Sequence, residues 1–180
     1  MNVITTALPD VIVLEPKVFA DARGHFFESY NRRALAEHGI TADFVQDNHS
    51  SSTRGVLRGL HYQIQQPQGK LVRVVAGEVL DVAVDLRRSS PHFGRWASFV
   101  LSAENHRMAW IPAGFAHGFV VRSASAEFLY KTTDYYAPAY ERTIVWNDPA
   151  LAIDWQLDGE PILSAKDAVG ATLSNAETFA

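Results

Sequence analysis

The stretch Arg54-Gly55-Val56-Leu57-Arg58-Gly59-Leu60-His61-Tyr62-Gln63 decides how this chain folds. It has the character of a β-strand, and glycines interrupt it. Side chains alternate between the two faces of a regular strand, so Arg58 and His61 would point in opposite directions. They can share a pocket only if Gly59 marks a bend or bulge, or if the strand lines the mouth of a barrel. The stretch therefore favours a barrel over a flat sheet.

Short strand-like runs separated by turns continue on both sides of this stretch. Apart from Arg73, residues 71–76 are apolar and mostly β-branched. Residues 80–86 alternate between apolar and mostly acidic positions, which is typical of a half-buried strand. Residues 32–38 form the only convincing early helix, and Gly39 follows it as a stop signal. No alternation of strands with helices appears. The pattern predicts an all-β fold, a jelly-roll barrel or sandwich with a few short peripheral helices. The tail from Pro149 is expected to pack outside the strands.

Length and composition restrict the class of protein. The chain has 180 residues, which predicts a single domain over residues 1–180. The net charge is -4 and there is no long basic run, so nucleic acid is not an expected partner. No apolar run approaches the ~20 residues that cross a bilayer. Cysteine is absent, which excludes disulfides and thiol catalysis. Since no secretion signal is visible, we expect a cytoplasmic protein without a membrane anchor.

His61 and His117 raise the question of a metal site. The turn-flanked runs around them resemble the two motifs of the cupin superfamily, which are small jelly-roll barrels. Metal-binding cupins carry a second histidine two positions after the first and then a glutamate. Here Gln63 takes the histidine position, and residues 65–68 contain no glutamate. A catalytic metal normally needs about three protein ligands, so we expect no metal, and the histidines are free for acid–base chemistry.

Four residues are candidates for proton transfer. His61 is the candidate base, because a histidine titrates near ~6.5 without tuning; the alternative is a core histidine bound to the backbone. Lys70 lies on the next strand, and strand pairing could bring it beside His61; the alternative is a solvated edge lysine. Tyr130 is a possible proton donor or a buried, anchored tyrosine. Asp167 could equally be a helix cap.

A series of motifs in fixed order resembles the dTDP-4-dehydrorhamnose 3,5-epimerase family, and the resemblance covers nearly the whole chain. The motifs are DARGHFFE (21–28), FVQDNHS (44–50), LRGLH (57–61), QGKLVR (68–73), WIPAGFAHGF (110–119), LYK (129–131), WND (146–148) and LSAKD (163–167). His25 departs from the family, which often has an aromatic residue there.

The resemblance implies an isomerase that acts without a cofactor, as a cupin homodimer, on a dTDP-4-keto-6-deoxyhexose in the pathway to dTDP-L-rhamnose. The C3 and C5 protons flank the C4 ketone, so removing either one gives an enolate, whose oxyanion needs a fixed positive charge. By resemblance, His61 takes the proton, and Asp167 orients its imidazole. Lys70 stabilises the oxyanion, and Tyr130 returns a proton from the opposite face.

The resemblance also implies the substrate-binding residues. Arg23 and Arg58 match positions that contact the nucleotide sugar, and guanidinium groups suit a pyrophosphate; the alternative for each is a surface salt bridge. Tyr136 matches the ring that stacks on thymine. The other matching positions are Phe26, Glu28, Gln46, Asn48, His117, Glu141 and Lys166.

Other functions remain open from the sequence. An epimerase acting on only one centre of a related dTDP-4-keto-deoxysugar would have the same fold, as would a nucleotide-sugar-binding cupin without activity and a metal-dependent cupin oxygenase. It is also open whether Arg23 serves its own pocket or that of a neighbouring subunit.

Overall fold

Alternating and β-branched apolar residues form strands through most of the chain. The computed structural model describes residues 1–180. One short helix, α1 (Arg32–Ala36), and two 3-10 helices (Pro138–Tyr140 and Asp167–Val169) accompany the strands. In chain order the strands are β1 (Asn2–Thr5), β2 (Ile12–Glu15), β3 (Phe19–Asp21), β4 (Gly24–Phe26), β5 (Gln46–Thr53), β6 (Leu57–Gln63), β7 (Lys70–Ala76), β8 (Glu78–Asp85), β9 (Trp96–Ser102), β10 (Met108–Ile111), β11 (Phe115–Val121), β12 (Ser125–Thr132) and β13 (Glu141–Thr143).

Two antiparallel sheets make up the body of the fold. A six-stranded sheet has the order β1-β2-β10-β7-β12-β5, and a five-stranded sheet has the order β13-β6-β11-β8-β9. Their inner faces share one hydrophobic core, to which Val72 and Phe128 contribute from the first sheet and Val79 and Phe119 from the second. The prediction of an all-β jelly roll is therefore confirmed. None of the helices is long or apolar enough to cross a membrane.

The tail after Pro149 covers the outer face of the five-stranded sheet. Leu151 and Trp155 pack there against Leu57, Leu60 and other apolar side chains of that sheet. For this reason β8 is buried on both faces, from Val79 to Asp85. The expectation that β8 would be half-buried is wrong, because its second face is covered by residues far away in sequence.

Strand β6 contains the irregularity that the sequence required at Gly59. On β11, Phe119 lies opposite Arg58 and His117 lies opposite His61, so β6 holds one extra residue in this interval. Gly59 has φ +122°, and a Cβ atom there would lie 2.6 Å from the Cα of Gly118. The bulge brings Arg58 and His61 to the same inner face, as the sequence predicted.

The hairpin of β3 and β4 stands away from both sheets. All of its strand residues are exposed, including Phe19 and Phe26 at 54% and 68%. The ring of His106, in the turn before β10, packs at a tilt against the rings of His25 and Phe27, with centroids 4.6 and 4.9 Å apart. These aromatic contacts join the end of the hairpin to the body of the fold.

Candidate active site

A cavity of about 370 Å³ opens between the two sheets, and most of the residues singled out from the sequence line it. Each sheet contributes polar side chains, and the segments after β12 and in the tail close its rim. The lining residues are Gln46, Asn48, Ser50, Arg58, His61, Gln68, Lys70, His117, Gly118, Phe119, Phe128, Tyr130, Tyr136, Glu141 and Lys166.

His61 is held from behind by the carboxylate of Asp167. The distance between His61 Nε2 and Asp167 Oδ1 is 2.5 Å, and Asp167 is only 2% exposed. An ionised carboxylate can only accept, so Nε2 carries the hydrogen and Nδ1 is left free to take up a proton. Burial lowers the pKa of His61, and the hydrogen bond and charge of Asp167 oppose this shift. The imidazole is therefore neutral near pH 7, as a base must be.

Asp167 is itself fixed by its own neighbours. The hydroxyl of Ser164 donates to Asp167 Oδ2 at 2.7 Å. Burial opposes ionisation of Asp167, but hydrogen bonds from His61 and Ser164 outweigh it, and the pKa of this carboxyl is lowered. Asp167 thus remains an anion that can orient the imidazole and stabilise its protonated form.

Lys70 reaches His61 from the facing sheet and not from a paired strand. Strand β7 pairs with β10 and β12, so the expected pairing with β6 is wrong. Instead Nζ of Lys70 crosses the interior and donates to the carbonyl oxygen of His61 at 3.3 Å. Burial lowers the pKa of Lys70 to about 8, and the charges of Asp81 and Glu141 oppose the shift. Lys70 is therefore a desolvated cation at neutral pH.

Asp81 is a buried acid beneath the cavity that the sequence analysis did not select. It has no exposed surface, and its two carboxylate oxygens lie 2.9 and 3.0 Å from Nε2 of His117. Burial raises its pKa, while His117 and Lys70 lower it. The alternating pattern of β8 predicted that Asp81 would be exposed, because a polar position in an alternating strand normally faces solvent.

Tyr130 enters the cavity from β12, on the wall opposite His61. It pairs with Asn48 on β5 and Val72 on β7. Burial raises the pKa of Tyr130, with the charge of Arg58 opposing, and no hydrogen bond from the protein contributes to the shift. The phenol is thus protonated at neutral pH and its hydroxyl is available to a ligand.

Arg58 connects the two walls of the cavity. Its Nε donates to the hydroxyl of Ser52 at 3.0 Å, and Nη2 donates to the carbonyl oxygen of Ser51 at 3.3 Å. Both acceptors belong to β5, whose inward side chains include Gln46 and Asn48, joined by a 2.9 Å hydrogen bond. These contacts involve no carboxylate, so the charge of Arg58 is available to an anion.

The rim of the cavity is a small polar cluster. Tyr136 donates its hydroxyl hydrogen to Glu141 at 3.1 Å, and Lys166 donates to the other oxygen of Glu141 at 2.8 Å. Burial opposes ionisation of Glu141, but the hydrogen bonds from Lys166 and Tyr136 lower its pKa. The Tyr136 ring stands 53% exposed beside the opening.

Three of the expected binding residues lie outside this cavity. Arg23 and Phe26 belong to the exposed hairpin, where Arg23 forms an ion pair with Asp21 at 2.6 Å. Glu28 follows the hairpin and accepts hydrogen bonds from Asn31 at 3.1 and 3.2 Å. One copy of the chain does not bring these residues to His61.

Several cavity residues were missed by the sequence analysis: Ser50, Gln68, Gly118, Phe119 and Phe128. Ser50 could have been found, because it continues the alternation of Gln46 and Asn48 along β5. No group of three or more histidine, aspartate or glutamate side chains is arranged to hold a metal ion.

Comparison with known proteins gives consistent matches over the full chain. Residues 5–175 match the family model described as dTDP-4-dehydrorhamnose 3,5-epimerase. A protein of that name from Pseudomonas aeruginosa is 64% identical over 180 residues, which is 99% of each chain.

Solved structures also match closely. A dTDP-6-deoxy-D-glucose-3,5-epimerase from Legionella pneumophila, crystallised with dTDP-4-keto-L-rhamnose, superposes with a TM-score of 0.95 at 55% identity, covering 98% of this chain and 94% of that one. A 3'-monoepimerase from Streptomyces bikiniensis, in complex with dTDP-quinovose, superposes with a TM-score of 0.88 at 34% identity, covering 94% of this chain and 87% of that one.

Proposed function

The chain belongs to the dTDP-4-dehydrorhamnose 3,5-epimerase family, and we propose that it inverts C3 and C5 of dTDP-4-dehydro-6-deoxy-D-glucose to give dTDP-4-dehydro-L-rhamnose. Each inversion removes the proton from a carbon beside the C4 ketone and returns a proton to the other face of the same carbon. The reaction therefore needs a base and an acid on opposite sides of the sugar ring, and a cation beside the carbonyl oxygen.

One observation carries this proposal: His61 and Tyr130 line the same cavity from opposite sheets. His61 extends from β6 in the five-stranded sheet and Tyr130 from β12 in the six-stranded sheet. A sugar ring between the sheets presents one face to each residue. His61 removes the proton through Nδ1, Asp167 stabilises the resulting imidazolium, and Tyr130 donates a proton from the other wall.

Lys70 supplies the positive charge that stabilises the enolate and so allows a proton to be removed from a weakly acidic carbon. Its ammonium group is buried between the two walls, where low dielectric strengthens its attraction to the enolate oxygen. Arg58 is suited to the pyrophosphate, because its guanidinium is bound only by neutral oxygens of Ser51 and Ser52. The Tyr136 ring is suited to stack on thymine at the rim.

The experiment is conversion of the dTDP-4-keto sugar in D2O, followed by NMR. The proposal predicts deuterium at both C3 and C5 and formation of the L-rhamno product. Exchange at C3 alone would instead indicate a 3-epimerase, a reaction class represented among the structural relatives.

The matched variants are His61→Asn and His49→Asn. His49 lies on the outer face of β5, paired with Glu127, and does not line the cavity. We expect His61→Asn to abolish exchange at both carbons and His49→Asn to leave it unchanged. Exchange that persists in His61→Asn would show that His61 is not the base.

A second copy of the chain completes the site in this proposal. The exposed Phe19 and Phe26 are an apolar surface that a partner would cover, and Arg23 lies beside them with its charge toward solvent. A homodimer in which the hairpin reaches the neighbouring cavity would add Arg23, Phe26 and Glu28 to it. In the same proposal residues 1–180 act as one cytoplasmic, cofactor-independent domain.

A further inference from the structure

The segment that carries Tyr136 is held in place by glutamine side chains. Residues 133–137 connect β12 to the 3-10 helix Pro138–Tyr140 and belong to no strand or helix. Gln46 accepts from the backbone N–H of Tyr136 at 3.1 Å, and Gln68 donates to the carbonyl oxygen of Asp134 at 2.9 Å. Gln63 holds the same segment at two further points.

Gln63 is the buried centre of this arrangement. Its Oε1 accepts from the backbone N–H of Ala137 at 2.8 Å, and its Nε2 donates to the carbonyl oxygen of Tyr135 at 3.2 Å. The same Nε2 donates to the carbonyl oxygen of Gln66 at 2.7 Å. Both amide hydrogens are thus used, and they tie the turn after β6 to the segment that bears Tyr136.

Gln63 differs from Gln46 and Gln68 in its exposure to the cavity. Gln46 and Gln68 line the cavity, so their side chains can contact a ligand directly. Gln63 is 4% exposed and is absent from the cavity wall. Any effect of Gln63 on ligand binding must therefore pass through the backbone that it holds.

We propose that Gln63 is a positioning residue for nucleobase recognition: it fixes the backbone on both sides of Tyr136, at Tyr135 and Ala137, so that the ring is already in place when the base arrives. This inference rests on the proposed role of Tyr136 as the ring that stacks on thymine. The Tyr136 hydroxyl is bound to Glu141, so with both its tip and its backbone held the ring has little freedom to lose. A segment ordered before binding avoids the entropic cost of ordering it on binding.

The test measures the affinity of dTDP and of inorganic pyrophosphate by calorimetry. Base–aromatic stacking is worth ~1–3 kcal/mol, so Tyr136→Ala should weaken dTDP binding by about tenfold and leave pyrophosphate unchanged. Gln63→Met keeps the length of the side chain and removes its hydrogen bonds. It should weaken dTDP binding by about three- to tenfold, leave pyrophosphate unchanged, and keep kcat at saturating substrate within about twofold.

The control and the second variant isolate the hydrogen bonds of Gln63. Gln65→Met makes the same change at an exposed position two residues away, and no change in affinity is expected. Gln63→Glu keeps the acceptor for Ala137 but turns a buried carboxylate oxygen toward the carbonyl oxygens of Tyr135 and Gln66, so the loss of dTDP affinity should be at least as large as in Gln63→Met. Irreversibly inactive protein lowers the binding stoichiometry and not the affinity, and a reversible loss of folded protein weakens the binding of dTDP and pyrophosphate by the same factor, so neither imitates a loss confined to dTDP.

The double variant Gln63→Met/Tyr136→Ala distinguishes positioning of the Tyr136 ring from a general stabilisation of the cavity by Gln63. If Gln63 acts through Tyr136, the double variant binds dTDP no more weakly than Tyr136→Ala alone. An additional loss in the double variant, or an equal loss for dTDP and pyrophosphate in Gln63→Met, overturns the inference. If Tyr136→Ala weakens dTDP binding and Gln63→Met does not, only the inference about Gln63 is overturned. If Tyr136→Ala leaves dTDP binding unchanged, the proposed stacking role of the Tyr136 ring is overturned as well.

Discussion

At the scale of the residue, the proposed chemistry depends on how burial sets the charge of two groups that line the same cavity. Burial lowers the pKa values of both His61 and Lys70, so that one is neutral and the other is still charged near pH 7. A neutral base and a cation can then lie side by side without strong repulsion. The sequence identified His61 and Lys70 as candidates. Their protonation states could not be predicted from it, because they depend on burial that arises only when the two sheets pack together.

These two groups predict a bell-shaped dependence of kcat/KM on pH. Activity is lost as His61 becomes protonated. Because the pKa of His61 is lowered by burial, the acid limb lies below the ordinary histidine value of 6.5. The basic limb lies near 8, because activity is lost as Lys70 loses its proton. Lys70→Arg, which stays charged, should lower kcat/KM but move the basic limb upward. If the basic limb stays near 8 in this variant, another group is responsible for it.

At the scale of the element, β6 shows how far local sequence can predict a site. Gly59 between Arg58 and His61 indicated a bulge, since no regular strand brings those two side chains to one face. The structure contains that bulge. Lys70 and Asp81 were not placed correctly, because their positions depend on which sheet β7 joins and on the tail that covers β8. Such contacts join residues far apart in sequence, and no local pattern encodes them.

Gly59→Ala tests the bulge. Its φ of +122° disfavours any side chain, and the new methyl would lie 2.6 Å from Gly118 Cα and 2.7 Å from His117 O. Both are backbone atoms that cannot move cheaply, so we expect a loss of about 3 kcal/mol in the free energy of unfolding, together with a loss of activity.

The control for this change is Gly159→Ala. A Cβ at Gly159 would have no atom within 4 Å, and the backbone there has no positive φ. The stability of the Gly159→Ala variant in urea should therefore differ little from that of the unaltered protein. Equal stability of the Gly59 and Gly159 variants would contradict the account of β6.

At the scale of the whole molecule, the cavity is lined by the proposed base, acid and cation but not by every expected binding group. The motif that contains Arg23, Phe26 and Glu28 was recognised from the sequence, yet it forms a hairpin away from His61. The sequence could name these residues, but it carries no pattern that tells which subunit they serve. The proposed dimer, in which the hairpins are exchanged, would account for both the motif and its location.

Mixing two inactive variants tests this exchange. Arg23→Ala leaves the cavity intact and removes the hairpin charge, while His61→Asn removes the base and leaves the hairpin intact. If the hairpin serves the neighbouring cavity, a mixed dimer contains one complete site, and co-refolded protein should regain about a quarter of normal activity by the statistics of mixing. Absence of recovery in verified mixed dimers would show that Arg23 serves its own subunit.

The central claim is that a base and an acid act from opposite walls of one cavity, and Tyr130→Phe tests it most directly. The variant keeps His61 and Lys70, so proton removal and enolate formation should continue, while the acid on the opposite wall is lost. NMR in D2O should therefore show deuterium entering beside the ketone with retained configuration, while epimerisation falls by about 100-fold or more. Epimerisation at an undiminished rate in Tyr130→Phe, or loss of exchange together with epimerisation, would contradict the account.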